Sequence, residues 1–211
     1  MKRSATNITW NARTITWLSG LAFILLLLGT VGAGCDARDA AASARLAGAR
    51  EARVQRGAYL VSTLGCHDCH TPFTVGPNGP EPDMSRMLSG HPESFEIREP
   101  APNPGGVWQN GFVAAPTNTA FSGPWGVSFT ANLTPDQNTG LGIWTEDMFM
   151  KAIRTGKHFG VSRPILPPMP WPVYRNLTDD DLKAVFAYLR TIPPIVNHVP
   201  DPIPPAVVTT D

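Results

Sequence analysis

The run Cys66-His67-Asp68-Cys69-His70 constrains this chain more than any other feature. Two thiols three positions apart can each add to one vinyl group of a porphyrin. The next residue, His70, then falls where its imidazole can ligate the iron. This is the spacing of a c-type haem attachment site. A bare Cys-x-x-Cys also fits a zinc knuckle or a thioredoxin-like dithiol. Structural zinc needs four ligands, and the chain has no second Cys pair. Its other histidines outside the run, His91, His158 and His198, are scattered singly. A thioredoxin-like pair opens a helix within a βαβ pattern. Here the run follows a helical stretch and leads into Pro/Gly-rich sequence.

The N-terminus reads as an address. Residues 1–14 carry Lys2, Arg3 and Arg13 with no acid, and an apolar run from Trp17 to Val31 follows. Gly32-Ala33-Gly34 then precede Cys35. This is the plan of a bacterial export signal. Because it ends at a cysteine, residues 1–34 read as a lipoprotein signal and Cys35 as the lipidated residue. Gly32 stands where such signals usually carry an aliphatic side chain. Ordinary cleavage nearby, or an uncleaved membrane anchor, are the alternatives. Each places the rest of the chain outside the cytoplasmic membrane, at its periplasmic or extracytoplasmic face, where c-type haem is attached.

Charge excludes little beyond nucleic acid. The formal net charge is zero. Without Lys2, Arg3 and Arg13, 14 of the 17 basic residues remain against 17 acidic ones, a net of −3. That is too small a field to name a partner.

Residues 35–51 are Ala/Arg-rich with almost no large apolar side chains, so they predict a tether that buries no core alone. From Ala52 to Leu64, Val54, Tyr59, Leu60, Val61 and Leu64 recur at helical spacing. Residues 71–130 hold many prolines and glycines without a sustained period. They predict a long loop insertion with one short hairpin around Val107–Ala115. Trp108, Phe112, Phe121, Trp125 and Phe129 either wall the cofactor or pack into a surface insertion of their own. A helix is expected after Thr145, its cap, ending at Gly156. Another follows Thr178, with Leu182, Val185, Phe186 and Leu189 as its apolar face, until Pro193-Pro194 stops it. Residues 196–211 predict a Pro-rich tail extended over the surface.

A c-type haem iron commonly takes a second ligand from Met or His. Met169 lies in Pro167-Pro168-Met169-Pro170-Trp171-Pro172, where prolines stiffen the backbone and remove competing donors. That makes a strap able to present one thioether. Met84 and Met87, or His158 and His91, are the alternatives. Met148 and Met150 fall on a predicted helix and read as core. Arg154, Trp125 and Trp144 are candidate hydrogen-bond donors to a haem propionate.

Taken with Arg56-Gly57-Ala58-Tyr59-Leu60-Val61, Ala131-Asn132-Leu133-Thr134-Pro135-Asp136, Arg154-Thr155-Gly156 and Ala187-Tyr188-Leu189, these features resemble the mono-haem class I c-type cytochromes. They are most similar to the cytochrome c domains of membrane-bound bacterial dehydrogenase subunits. The resemblance covers 52–195. It implies an all-α cytochrome c-like domain whose first and last helices cross, with Gly57 small because the helix bearing Tyr188 packs there. It also implies Cys66, Cys69, His70 and Met169 as the residues that bind one covalent haem c, with His70 and Met169 on the iron. The chain departs from the resemblance in carrying one such motif, and in the length between that motif and Asn132. The expected function is one-electron transfer, not catalysis, with redox partner proteins of a membrane respiratory or dehydrogenase complex. The competing reading is a haem enzyme or ligand-binding sensor whose sixth ligand is displaceable.

Overall fold

The computed structural model describes residues 12–101 and 112–205, with side chains described from residue 38 onward. The chain divides into two compact units, residues 1–50 and 51–211. Helix α1 (Ala12–Thr63) contributes to both. In the first unit the side chains of residues 38–50 are all exposed, as expected of an Ala/Arg-rich segment without large apolar groups. Residues 1–11 of the predicted export signal lie outside the described residues, and so do the side chains of the rest of it. So does the side chain of Cys35. Among the described residues no helix is long and apolar enough to cross a membrane.

The second unit begins at Glu51 on α1. It continues through α2 (Cys66–His70), α3 (Glu146–Thr155), α4 (Trp171–Tyr174) and α5 (Asp179–Leu189). Thr145, the expected cap, and Thr178, the expected helix start, both cap their helices. Thr145 Oγ1 accepts from the Met148 N–H at 3.2 Å, and Thr178 Oγ1 accepts from the Asp181 N–H at 3.1 Å. Each satisfies an amide that the first helical turn leaves without a partner. Gly156 closes α3 in the left-handed conformation, at φ 65°. Helix α5 ends at Leu189, a few residues before the prolines expected to stop it.

Leu60 and Val61 of α1, Phe149 and Ile153 of α3, and Leu182, Val185, Phe186 and Leu189 of α5 form the buried apolar cluster. Where α1 meets α5 there is no room for a side chain. A Cβ on Gly57 would stand 1.9 Å from the Ala184 carbonyl oxygen and 2.8 Å from Tyr188 Cβ. The glycine therefore sits against the Tyr188 helix, as the resemblance implied.

The all-α expectation is wrong. Five strands form two antiparallel sheets among the described residues. Strands β1 (Phe73–Gly76) and β2 (Gly79–Pro82) make a hairpin. Strands β3 (Val113–Ala114), β4 (Ala120–Gly123) and β5 (Gly126–Phe129) make a three-stranded meander. Both lie within residues 71–130, where the sequence predicted loop. The strands are two to four residues long, too short for an alternating pattern to rise above their glycines and prolines. The hairpin expected at Val107–Ala115 falls partly outside the described residues. Val113 and Ala114 instead pair with Ser122 and Phe121. The tail also differs from expectation. Asn197 is buried, and Ile203 exchanges both backbone hydrogen bonds with Val127 at 2.8 and 3.0 Å.

Candidate functional site

Helix α2 is a single turn between α1 and the first hairpin, and it brings Cys66, Cys69 and His70 to one cavity of about 560 Å³. Met169 lines the same cavity from the proline strap. Apolar side chains from every layer complete the walls: Phe121 and Phe129 from the meander, Phe149 and Ile153 from α3, Leu182 and Val185 from α5. A deep apolar hollow with a few convergent polar groups is the usual form of a cofactor site.

His70 is held in one tautomer. Its Nδ1 lies 2.7 Å from the Ala131 carbonyl oxygen. A carbonyl only accepts, so Nδ1 carries the proton and Nε2 keeps its lone pair. Burial keeps the imidazole neutral by lowering its pKa, against the opposing pull of the Ala131 carbonyl. A neutral imidazole oriented through its other nitrogen is what metal ligation requires. The backbone around it is fixed as well. The Gly90 N–H donates to the His70 carbonyl at 2.8 Å, and the Leu133 N–H to the Leu88 carbonyl at 2.9 Å.

The two thiols are free and half-buried. Burial pushes Cys66 up to about 11, with smaller contributions from Asp68 and Cys69. Cys69 is raised for the same first cause. Neither is the exposed, electropositive thiolate of a reactive dithiol site. Among the described residues no three His, Cys, Asp or Glu side chains gather as a metal cluster.

Most of the alternatives to Met169 are placed elsewhere. Met84 is exposed, Met87 and Met150 pack against the core, and none of these, nor Met148, lines the cavity. His91 is fully buried with both nitrogens engaged. Its Nε2–H donates to the Phe95 carbonyl at 2.8 Å, and its Nδ1 accepts from the Thr119 hydroxyl at 2.9 Å. His158 does line the cavity, with its ring edge-on to Trp144 and Phe159.

Of the aromatics expected to wall the cofactor, Phe121 and Phe129 line the cavity. Phe112 lies outside the cavity, edge-on to Phe121, and Trp108 is outside the described residues. Arg154 is not a cavity residue. Its guanidinium is engaged by the Leu177 carbonyl at 2.8 Å, the Arg175 carbonyl and Asp179 at 2.5 Å, tying α3 to the start of α5. Trp144 lines the cavity. Trp125 borders an adjoining hollow that shares Arg163, Leu166, Asp201 and Pro202 with the main one. Its indole N–H is buried without an acceptor.

Sequence reasoning misses the tail. His198, Val199, Pro200, Asp201 and Pro202 form part of the cavity wall. Asn197 anchors this segment, donating to the Ser89 and His91 carbonyls at 2.7 and 2.8 Å. Gly126 makes room for it at φ 90°, since a Cβ there would fall 2.0 Å from the Ile203 carbonyl oxygen. Asn132 and Thr134 help, through bonds to the Ile195 carbonyl and amide. The Asn-Leu-Thr block, which in the sequence carries only a resemblance, is thus the clasp between the His70 wall and the tail.

The residues present suit a haem. A planar tetrapyrrole needs apolar walls, a neutral imidazole, a soft second donor, two thiols beside the imidazole and edge donors for its carboxylates. All of these line or border the one cavity.

No protein-family model matches the chain. Comparison with curated proteins finds the fructose dehydrogenase cytochrome subunit of Gluconobacter japonicus, 28% identical over 168 residues, covering 80% of this chain and 26% of that protein. The alcohol dehydrogenase (quinone) cytochrome c subunit of Gluconobacter oxydans (strain 621H) is 28% identical over 159 residues, 72% of this chain and 25% of its own. The gluconate 2-dehydrogenase cytochrome c subunit of Pantoea cypripedii is 28% identical over 165 residues, 78% and 27% respectively. The chain is thus similar, over most of its length, to proteins named as cytochrome subunits of dehydrogenases. It spans about a quarter of the length of these relatives.

Proposed function

We propose that this chain binds one haem c covalently through Cys66 and Cys69, with His70 and Met169 on the iron, and carries single electrons. One observation supports this reading above the rest: both thiols, the oriented imidazole and the strap methionine line a single apolar cavity. When bound, the haem supplies a one-electron couple. The chain's own residues do the rest. His70 presents its Nε2 lone pair because Ala131 holds the proton on Nδ1. Met169 supplies a thioether, which raises the potential relative to a second histidine. Phe121, Phe129, Leu182 and Val185 exclude water. The unpartnered Trp125 N–H and the Arg163 side chain are suitable donors for a carboxylate at the cavity edge.

By similarity to the relatives' names this carrier would serve a dehydrogenase complex, and we propose that the complex is a respiratory one at the membrane. The basic and apolar N-terminus supports export to the extracytoplasmic face, and Cys35 supports a lipid anchor. Acid-denaturing extraction of the exported protein tests the attachment. The haem should stay with the polypeptide, and release from wild type but not from a control c-type cytochrome would refute the thioethers. Membrane fractionation of Cys35→Ser tests the anchor. Loss of membrane association is expected, and unchanged retention would rule lipidation out.

A further inference from the structure

The strap that carries Met169 has few hydrogen bonds of its own, although Met169 packs against the apolar cluster. Residues 167, 168 and 170 are prolines without an amide hydrogen, so between Pro167 and Pro170 only Met169 retains one. Among the described residues, the backbone bonds lie at its two ends. Ile165 donates to the Gly156 carbonyl on one side, and Val173 donates to the Pro170 carbonyl on the other. A single hydrogen bond reaches residues 166–169 from the rest of the described molecule. It comes from Ser128, whose hydroxyl lies 2.6 Å from the Pro167 carbonyl oxygen. The Phe121 carbonyl, at 3.3 Å, is the weaker competitor for the same proton.

Ser128 is well placed for the task. It is buried in the middle of β5, where its neighbours fix its backbone. Val127 pairs with Ser122 on β4 and with Ile203 of the tail, and Gly126 leaves room for that tail. Two adjacent residues of one strand therefore hold the two non-helical segments that close the cavity. Val127 holds the tail and Ser128 holds the strap. Without the strap the buried hydroxyl would keep only the longer contact to the Phe121 carbonyl, so its good hydrogen bond depends on the strap being where it is.

We propose that Ser128 is a positioning residue for the sixth ligand, and that the β3–β4–β5 meander inserted before Asn132 serves to buttress the Met169 strap. The proposal rests on the reading of Met169 as an iron ligand. It gives the sheet a task that the resemblance did not supply.

The test uses the haem-loaded protein, with imidazole as a competitor for the sixth position of the ferric form. In Ser128→Ala the methionine is less well held. Imidazole should bind about tenfold more tightly, the equilibrium effect of one net hydrogen bond. The sulfur-to-iron charge-transfer band should weaken. Ser128→Thr, which keeps a hydroxyl, should restore both. A merely structural serine would lower the melting temperature yet leave imidazole affinity at wild-type level well below that temperature, and that result would overturn the proposal. If the alanine variant does not accumulate, Ser128→Cys offers a weaker donor of similar size. An intermediate affinity is expected there, and wild-type affinity would overturn the proposal. Met169→Ala separates the two claims. If it leaves the band and imidazole affinity unchanged, the ligand reading itself fails. If it removes the band while Ser128→Ala behaves as wild type, only the positioning role fails.

Discussion

The two sides of the cavity are held in opposite ways. On one side, His70 ends a helical turn and donates its Nδ1 proton to Ala131, while its own carbonyl accepts from Gly90. Behind it, α1 and α5 pack Leu60, Val61, Leu182 and Leu189 into one apolar cluster. On the other side, Met169 lies outside any helix or strand and packs at the edge of that cluster, and the one hydrogen bond across to residues 166–169 among the described residues comes from Ser128. The proposed imidazole ligand is fixed by several cooperating interactions, the proposed thioether ligand by chain stiffness, one hydrogen bond and its packing against the cluster edge. Redundant packing spreads the effect of a single change over many neighbours, whereas a singly tethered group responds in full to one. The two sides should therefore come apart under perturbation.

The largest break in this comparison is His70→Ala. It removes the oriented imidazole and should abolish stable haem incorporation, read as loss of the haem absorption of the exported protein. Next is Gly57→Val, which attacks the helical side without touching the strap. The added Cβ meets the Ala184 carbonyl and Tyr188 Cβ, and overpacking of that kind costs about 1–3 kcal/mol. The melting temperature should drop by several degrees while imidazole affinity for the ferric form stays at wild-type level. A changed affinity would show that the two sides are not separable.

A pH effect sharpens the sheet side. His91 is buried neutral, its pKa lowered first by burial and further by Arg86, with the Phe95 carbonyl opposing. The unfolded chain takes up this proton at a higher pH than the folded one. The stabilisation is therefore present above the ordinary value of 6.5 and lost as pH falls below it. Protonation would also turn Nδ1 from an acceptor of the Thr119 hydroxyl into a donor. In His91→Gln, which can still donate to Phe95 and accept from Thr119, the loss of melting temperature between about pH 7 and about pH 5 should be smaller. The smallest effect belongs to Asp181, kept below the ordinary carboxylate range first by its hydrogen bond from Arg56. Its contribution is present above that range and fades as pH falls through the depressed value. Arg56 is half-exposed and solvent screens the pair, so Asp181→Asn should flatten the acid limb only slightly.

The helical side of the site is legible in the sequence because each of its features has a local signal. Thr145 and Thr178 announce helix starts, Leu182, Val185, Phe186 and Leu189 keep a helical period, and Cys66–His70 is a contiguous motif. Met169 is legible through the prolines around it. The strands are not, because Ala120–Gly123 and Gly126–Phe129 are four residues each and are defined by pairing across a turn. Ser128 and the tail residues His198–Pro202 carry no signal of their own. Their roles arise from partners far along the chain, as between Ser128 and Pro167 or Val127 and Ile203. The buried His91 misleads for a related reason. A lone histidine reads equally as a ligand or as a satisfied interior group until both its partners are seen.

The central claim is that His70 and Met169 both bind one haem iron. An optical spectrum of the exported protein, oxidised and reduced, with and without carbon monoxide, tests it most directly. The account predicts a six-coordinate His/Met spectrum in both states, unchanged by carbon monoxide. A five-coordinate spectrum, or carbon monoxide binding to the native reduced protein, would contradict it.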